Sequence, residues 1–88
     1  MKISIIMPSL NVVEYIDECI KSVLNQTLTD IEILCVDAGS EDGTWEKLEQ
    51  YASNDVRVKL IRSERKSYGY QMNLGIKAAK GEYIGIVG

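Results

Sequence analysis

Histidine is absent from this sequence, and its two cysteines, Cys19 and Cys35, are too far apart to form a Cys-x-x-Cys pair. Because histidine and cysteine are the side chains that most often bind zinc and other transition metals, no usual metal-binding cluster is predicted. Both cysteines lie in apolar segments, and no export signal precedes them. This context favours two buried free thiols over a disulfide.

Long apolar runs and an excess of positive charge are also missing. The apolar start, residues 1–8, is interrupted by polar residues and by Pro8, the only proline, so it is too short for a signal peptide or a membrane span. The net charge of −3 gives nucleic acid no bulk electrostatic attraction. We therefore predict a cytoplasmic protein without a nucleic-acid partner or a transmembrane segment, either in the open cytosol or at the inner face of a membrane.

What the chain does contain is an alternation of strand-like and helix-like segments. Its 88 residues allow one small domain, in which ~60 to 65% of the unfolded chain's surface can be buried. The apolar pattern predicts strands at residues 3–7, 31–36, 56–61 and 83–87, and helices at 12–25, 44–53 and 70–80. Right-handed crossovers then give an α/β fold, a parallel four-stranded sheet in the order 3-2-1-4 with helices on both faces.

Particular side chains are predicted to fix the ends of the first and third helices. Asn11 and Glu14 have the spacing of a capping box at the start of the first helix. Gly81 has the position of a C-cap at the end of the third helix. That third helix is predicted to bury Met72, Ile76 and Ala79.

Ligands of parallel α/β sheets bind outside the carboxyl ends of the strands, where loops are predicted at residues 8–11, 37–43 and 62–73. Asp37 follows the second strand directly and begins a glycine-containing turn. A carboxylate at this place either meets a ligand or caps the loop backbone. Asp42, in the same loop, has the position of a helix cap or turn residue more than that of a ligand.

The third loop and the helix after it hold further candidates. Arg62, Arg65 and Lys66 form either a solvated face or a contact with a diphosphate. Asn73 lies within an apolar helix, where a buried amide needs partners, so we expect it to hydrogen-bond to the first or the second loop. The first loop has no glycine and Gly-x-x-x-x-Gly-Lys is absent, which excludes a dinucleotide-binding Rossmann domain and a phosphate-loop enzyme.

Four segments of the chain carry motif-like sequences in a fixed order. Residues 4–11 resemble SVIIPxYN, residues 20–27 resemble SLLNQT, residues 37–44 resemble DDGSxDGT, and residues 71–84 resemble ARNxG followed by AxGEYI. These are motifs of family 2 glycosyltransferases of the GT-A fold, and the resemblance covers essentially the whole chain. It implies that residues 1–88 are the nucleotide-sugar-binding half of such a domain, with a partial GT-A fold.

The resemblance also implies a function and a site. The donor would be a nucleotide sugar, usually linked to UDP. Backbone and side chains near Pro8 and the carboxylate of Asp37 would contact the base and ribose, and residues 62–73 would close over the nucleotide. The implied nucleotide-binding residues are Pro8, Ser9, Asn11, Glu14, Asp37, Ser40, Asp42, Arg65 and Asn73, with no catalytic and no metal-binding residue in this chain.

The chain departs from the family's pattern at three places. Leu10 stands where the family has an aromatic residue that can stack on the base, and Ala38 replaces the second carboxylate of the nucleotide loop. The sequence ends at Gly88, about where the family's Asp-x-Asp motif, which holds Mg²⁺ or Mn²⁺ on the diphosphate, should begin. Because sugar transfer needs the leaving diphosphate neutralised, we expect a truncated chain that is inactive alone, with Mg or Mn a cofactor of the full-length family member.

Two functions remain open on this basis. The chain is either the donor-binding part of a glycosyltransferase or a non-catalytic nucleotide-binding or self-associating α/β module left from a truncated gene. The fourth strand, residues 83–87, would carry an apolar edge with unpaired backbone groups. Because such an edge pairs readily with another chain, we predict a symmetric homodimer through this strand.

Overall fold

The computed structural model describes residues 2–26 and 30–87, so Thr27 and Gly88, named above, lie outside the described residues. All strand pairs are parallel and the sheet order is β3-β2-β1-β4, which confirms the predicted topology. The elements are β1 (Ile3–Ser9), α1 (Val13–Leu24), β2 (Ile31–Asp37), α2 (Thr44–Asn54), β3 (Val58–Arg62), α3 (Tyr68–Ala78) and β4 (Tyr83–Ile86).

β2 lies in the middle of the sheet, and all seven of its residues are buried. Successive side chains of a strand point to opposite faces, so β2 contributes to two cores. Ile33 and Cys35 pack with the residues of α1 and α2, whereas Leu34 and Val36 pack with Met72 of α3. Helices therefore cover both faces, as predicted.

Both cysteines are free. Burial, with a further contribution from the negative charge of Asp37, raises the pKa of Cys35 to about 12. Its thiol therefore stays protonated and unreactive at neutral pH.

The predicted capping box of Asn11 and Glu14 is not formed. α1 begins at Val13, and no side-chain cap precedes it within its own segment. Asn11 adopts a left-handed conformation with φ of 51°, which asparagine tolerates better than most residues. The first N–H groups of α1 donate instead to side chains of the loop after β2, those of Asp42 and Thr44.

α3 begins at Tyr68 rather than at residue 70. Ser67 is its N-cap, and the Ser67 side chain accepts a hydrogen bond from the N–H of Tyr70 at 3.3 Å. The helix ends at Ala78, so Gly81 is not its C-cap.

The face that α3 turns toward the sheet also differs from the predicted one. The buried residues are Gln71, Met72 and Gly75, whereas Ile76 is 48% exposed. A Cβ added to Gly75 would lie 2.6 Å from Cγ2 of Ile6, so only glycine lets the helix approach β1 this closely. Asn73 is exposed, and the prediction that it is a buried amide is wrong. Gln71 holds that position instead.

The strand bounds differ from prediction at β3. This strand begins at Val58 rather than at residue 56, because the preceding residues form a turn. Asp55 accepts hydrogen bonds from the backbone and the guanidinium of Arg57, and Val56 is 91% exposed between them. Among residues 2–26 and 30–87, no helix combines the length and apolar character needed to cross a membrane.

The edge of the sheet at which the strands begin, here called the amino edge, is held by Glu32 of β2. Its buried carboxylate accepts hydrogen bonds from Ser4 Oγ at 2.6 Å, the N–H of Lys80 at 2.7 Å and Lys59 Nζ at 2.9 Å. Burial acts to raise the pKa of Glu32, but these hydrogen bonds and the charge of Lys59 outweigh it, so the pKa lies below its usual value. The turn between α3 and β4 is thereby fixed to the middle of the sheet.

Gly81 completes the contacts at the amino edge. Its N–H donates to Ser4 Oγ at 2.8 Å. A Cβ at this position would lie 2.7 Å from the backbone nitrogen of Ser4, so the close approach of the turn to β1 requires glycine.

Candidate functional site

The opposite edge, at which the strands end, is here called the carboxyl edge. The loops after β1, β2 and β3 meet there. A crevice of about 230 Å³ opens beside the end of β1 and the start of α3. It is lined by Pro8, Ser9, Leu10, Val12, Tyr68 and Gln71.

Asp37 lies at the centre of this edge and is wholly buried. Its Oδ1 accepts hydrogen bonds from Ser9 Oγ at 2.7 Å and from Ser40 Oγ at 2.6 Å. Its Oδ2 accepts from the N–H groups of Ser40 at 2.8 Å and of Gly39 at 3.2 Å, which the positive φ of Gly39, 88°, turns toward the carboxylate. Both oxygens are therefore occupied by the chain itself, as expected of a carboxylate that caps its own loop.

The backbone of Asp37 joins the third loop to the same point. The N–H of Ser63, directly after β3, donates to the carbonyl oxygen of Asp37 at 2.7 Å. The N–H of Ala38 donates to the carbonyl oxygen of Ser9 at 3.0 Å. One residue thus fixes the ends of three strands relative to each other.

The loops after β1 and β2 are also joined directly. The N–H of Asn11 donates to Ser40 Oγ at 2.8 Å, and the Asn11 side-chain oxygen accepts from the N–H of Glu41 at 2.8 Å. The left-handed turn at Asn11 makes this exchange possible, because it directs both its backbone and its side chain to the second loop.

Asp42 is a cap, as its sequence position indicated. Its Oδ1 accepts from Thr44 Oγ1 at 2.6 Å and from the N–H of Thr44 at 3.0 Å, and its Oδ2 accepts from the N–H of Val13 at 3.1 Å. The hydrogen bond from the Thr44 hydroxyl is the main reason why the pKa of Asp42 lies below its usual value. Thr44 Oγ1 also accepts from the N–H of Val12 at 3.0 Å, so this pair caps α1 and α2 together.

Gln71 is the site residue that the sequence interpretation missed. Only 5% of it is exposed, and its amide nitrogen donates to the carbonyl oxygens of Val36 at 2.9 Å and of Ser9 at 3.1 Å. The sequence feature that could have identified Gln71 is its spacing of four residues from Gly75, which places both residues on one helix face. Gln71 therefore performs the bridging expected of Asn73, from the opposite face of α3.

The cationic residues after β3 lie against aromatic rings. The guanidinium of Arg62 is 4.2 Å from the centre of the Trp45 ring on α2, and that of Arg65 is 5.0 Å from the centre of the Tyr70 ring on α3. Neither lines the crevice. Stacking of this kind leaves the charge available to a ligand while limiting the motion of the side chain.

The remaining implied residues fall into two groups. Glu14 lines a neighbouring cavity of about 320 Å³ together with Asn11 and Asp42, whereas Asn73 is exposed on α3. Of the nine residues implied by the resemblance, Pro8 and Ser9 line the crevice, and Asp37 and Ser40 hold the loops around it.

A metal ion would not find a ligand set here. Within the described ranges, no group of three or more histidine, cysteine, aspartate or glutamate residues is placed to hold one. The carboxylates of Asp37 and Asp42 at this edge already accept hydrogen bonds on both oxygens. The described residues therefore do not fit a Mg²⁺ or Mn²⁺ site.

The parallel sheet in the order β3-β2-β1-β4, with helices on both faces, is the architecture of the GT-A fold. The chain matches the model of Glycosyl transferase family 2 over residues 4–88, and it belongs to this family. Family members are enzymes, and the predicted resemblance is confirmed.

Particular relatives show how far the similarity extends. The chain is 47% identical over 85 residues to the uncharacterized glycosyltransferase EpsJ of Bacillus subtilis, covering 97% of this chain and 25% of EpsJ. The crystal structure of S. aureus TarS 1-349 in complex with UDP-GlcNAc superimposes with a TM-score of 0.90 at 33% identity, over 99% of this chain and 26% of TarS 1-349. The chain thus spans about a quarter of the length of these relatives.

A more distant structure shares the fold. The mannosyltransferase PcManGT from Pyrobaculum calidifontis, in complex with GDP-Man and Mn²⁺, superimposes with a TM-score of 0.85 at 24% identity. The match covers 94% of this chain and 26% of PcManGT. Relatives of this fold therefore include an enzyme that binds Mn²⁺.

Proposed function

We propose that this chain is the donor-binding part of a glycosyltransferase that takes a sugar from UDP and transfers it to a glycan or another acceptor. The observation that carries the proposal is the crevice at the carboxyl edge, whose walls belong to the segments that meet a nucleotide in folds of this type. The bound UDP-GlcNAc of the TarS complex supports the choice of nucleotide.

The size of the crevice agrees with one part of a nucleotide sugar. Its volume of about 230 Å³ is below the roughly 300 to 1,000 Å³ of pockets that hold a whole drug-sized ligand. It therefore fits the base of a nucleotide sugar rather than the whole donor, and the choice of uracil rests on the TarS complex. The ribose and diphosphate would continue over the exposed loops, where we propose Arg65 as the charge contact.

The residues implied by the resemblance take different roles in this proposal. Pro8 and Ser9 contact the nucleotide directly, since they line the crevice. Asp37 is a positioning residue, because its oxygens are buried and occupied by Ser9, Ser40 and Gly39. Asn11, Glu14, Asp42 and Asn73 do not line the crevice, and their contacts with a nucleotide stay predictions.

We also propose that the 88 residues bind a donor without transferring its sugar. Both carboxylates near the crevice are engaged in loop hydrogen bonds, so neither is free to act as a base toward an acceptor. Incubation with UDP-sugars, with and without Mn²⁺, should release no UDP. Turnover by this chain would contradict the proposal of inactivity without affecting that of binding.

Calorimetric titration with UDP and GDP tests the binding proposal. We expect UDP to bind at least about tenfold more tightly than GDP, a difference of about 1.4 kcal/mol. An exposed charge on α2, Glu49, offers a control, since Glu49→Gln should leave both affinities unchanged. Equal affinities for UDP and GDP, or no binding of UDP, would refute the proposal and favour a non-catalytic module.

The homodimer and the cytoplasmic location stay predictions. β4 pairs with β1, and its outward side chains Ile84 and Ile86 are 46% and 58% exposed. Light scattering of the unmutated chain and of Ile84→Lys would test the dimer. A monomer at micromolar concentration for the unmutated chain would show that the prediction is wrong.

A further inference from the structure

Tyr68 is the one aromatic residue among the six that line the crevice. It is the first residue of α3, and 61% of it is exposed. Apolar side chains, those of Pro8, Leu10 and Val12, line the same crevice. A large exposed aromatic beside an apolar recess is an arrangement that receives a flat, partly polar ring.

Three of the other aromatic side chains of the described helices, those of Trp45, Tyr51 and Tyr70, have partners that Tyr68 lacks. Trp45 and Tyr70 each lie under a guanidinium, and the Tyr51 hydroxyl donates to Asp17 at 2.6 Å. Within residues 2–26 and 30–87, neither the ring nor the hydroxyl of Tyr68 has such a contact. Its ring is therefore available to a ligand without the loss of an existing interaction.

The backbone beneath Tyr68 is held firmly. The Ser67 side chain caps the helix at its first turn, and the N–H of Gln71 donates to the carbonyl oxygen of Ser67 at 2.9 Å. The Gln71 side chain is bonded to the ends of β1 and β2. An aromatic ring carried on such a turn loses little conformational freedom when a ligand stacks on it, which favours binding.

The sequence indicates why a base-stacking aromatic residue is needed outside the first loop. Leu10, which lines the same crevice, stands where the family has an aromatic residue in the first loop. Leucine offers apolar contact but no π-face, so the first loop of this chain cannot stack on a base by itself. Tyr68 can provide that face from the opposite segment of the chain.

We propose that Tyr68 is the stacking platform for the nucleotide base, and that the base lies between its ring and the Leu10 side of the crevice. The inference rests on the proposed function, since it names the residue that holds the base of the same donor. Stacking tolerates any base, so Tyr68 would add affinity for the donor without selecting uracil over a purine.

Titration of UDP into the unmutated chain and four variants tests the inference. Because base–aromatic stacking has a moderate effect at an open site, Tyr68→Ala should weaken UDP binding roughly five- to tenfold. Tyr68→Phe keeps the ring and should bind UDP as the unmutated chain does. Tyr15 is also 61% exposed but lines other cavities, so Tyr15→Ala is the matched control and should leave UDP affinity unchanged.

The fourth variant moves the ring to the family's usual position. In a Tyr68→Ala chain, Leu10→Tyr should restore most of the lost UDP affinity, because an aromatic face returns to the same crevice. Circular dichroism and thermal melting of every variant separate a loss of affinity from a loss of folding. Leu10 is partly exposed and Tyr68 is largely exposed, so the variants at these two positions should fold.

The outcomes distinguish this inference from the proposed function. If UDP binds and Tyr68→Ala binds it equally well, the inference is wrong and the proposed function stands. If Tyr68→Phe loses as much affinity as Tyr68→Ala, the hydroxyl group is responsible and stacking is refuted. If the unmutated chain binds no UDP, the proposed function fails, and the inference fails with it.

Discussion

The two edges of the sheet use the same pair of residue types for different purposes. At each edge a buried carboxylate of β2 accepts a hydrogen bond from the serine directly opposite it on β1. Ser4 and Glu32 form this pair at the amino edge, and Ser9 and Asp37 form it at the carboxyl edge.

The pairs differ in what else they bind. Glu32 has a cationic partner, Lys59, and holds the turn before β4. Among the described residues, the Asp37 carboxylate has only hydroxyl and backbone N–H partners, of which Ser9 lines the crevice and Gly39 and Ser40 belong to the loop after β2. The comparison indicates that one carboxylate closes the fold, whereas the other shapes a site, so substitutions at the two should separate stability from binding.

The largest expected effect is that of Glu32→Ala on stability. Loss of this carboxylate leaves the Lys80 N–H and the Ser4 hydroxyl without their acceptor, which should lower the free energy of unfolding by about 2 to 4 kcal/mol. The Lys59 ammonium is partly exposed and loses less. Urea denaturation measures the change, with the exposed Glu49→Ala as control. The folded variant should bind UDP normally, and a parallel loss of UDP affinity would break the comparison.

Asp37→Asn should affect both properties. An asparagine keeps the shape but presents an NH₂ group to donors, so we expect a loss of about 1 to 3 kcal/mol in stability. Because the loops that border the crevice would lose their common acceptor, UDP affinity should fall by roughly tenfold, about 1.4 kcal/mol. Denaturation and calorimetry on the same preparation give both numbers. Unchanged UDP affinity would show that the crevice does not depend on Asp37.

Substitution of two glycines tests how closely the backbone is packed at the amino edge and at the start of α3. At the amino edge, Gly81→Ala places a Cβ 2.7 Å from the Ser4 nitrogen, and the required shift should cost about 1 to 3 kcal/mol in stability. Gly69 in α3 has no atom within 4 Å of its added Cβ, so Gly69→Ala should stabilise by about 0.4 to 1 kcal/mol. Thermal melting measures whether each substitution lowers or raises the stability of the fold. A neutral Gly81→Ala would mean that the turn relaxes freely.

The smallest effect is the acid dependence of the Glu32 pair. The pKa of Glu32 in the folded chain lies below its reference value of 4.5. Its contribution to stability is therefore complete above that pH and is lost as the pH falls through the lower folded value. The stability difference between the unmutated chain and Glu32→Gln should narrow from pH 7 to pH 3, as followed by urea midpoints. A constant difference would show that the carboxylate's charge has no part in the pair.

The sheet could be predicted from sequence because its signal is local. Runs such as residues 31–36 are apolar except for Glu32, and the alternation with helical periods leaves few topologies. The caps of α1 were missed because Asp42 and Thr44 lie about thirty positions away, beyond any local pattern. Asn11 is a residue type that often caps helices, but its left-handed backbone directs its hydrogen bonds to the second loop instead.

The role predicted for Asn73 belongs to Gln71, and this error has a geometric cause. Two residues along a helix are about 200° apart, so Gln71 and Asn73 lie on nearly opposite faces of α3, and only the face that carries Gln71 and Gly75 is buried. Gly75 marked the close side of the helix, and glycine carries no apolar signal. Glu32 was overlooked for the opposite reason, since one charge inside an apolar run was read as part of a strand rather than as half of a pair with Ser4.

The bridge made by Gln71 has a consequence for how fast and how readily the crevice fills. Its amide joins α3 to two strand ends, so the helix cannot swing outward without breaking two buried hydrogen bonds, to the carbonyl oxygens of Ser9 and Val36, at a cost of about 0.5 to 1.5 kcal/mol each. The crevice beside the end of β1 is thus already formed before any ligand binds. A nucleotide would meet a rigid receptor, lose mainly its own internal freedom on binding, and need no slow reorganisation of the protein to enter.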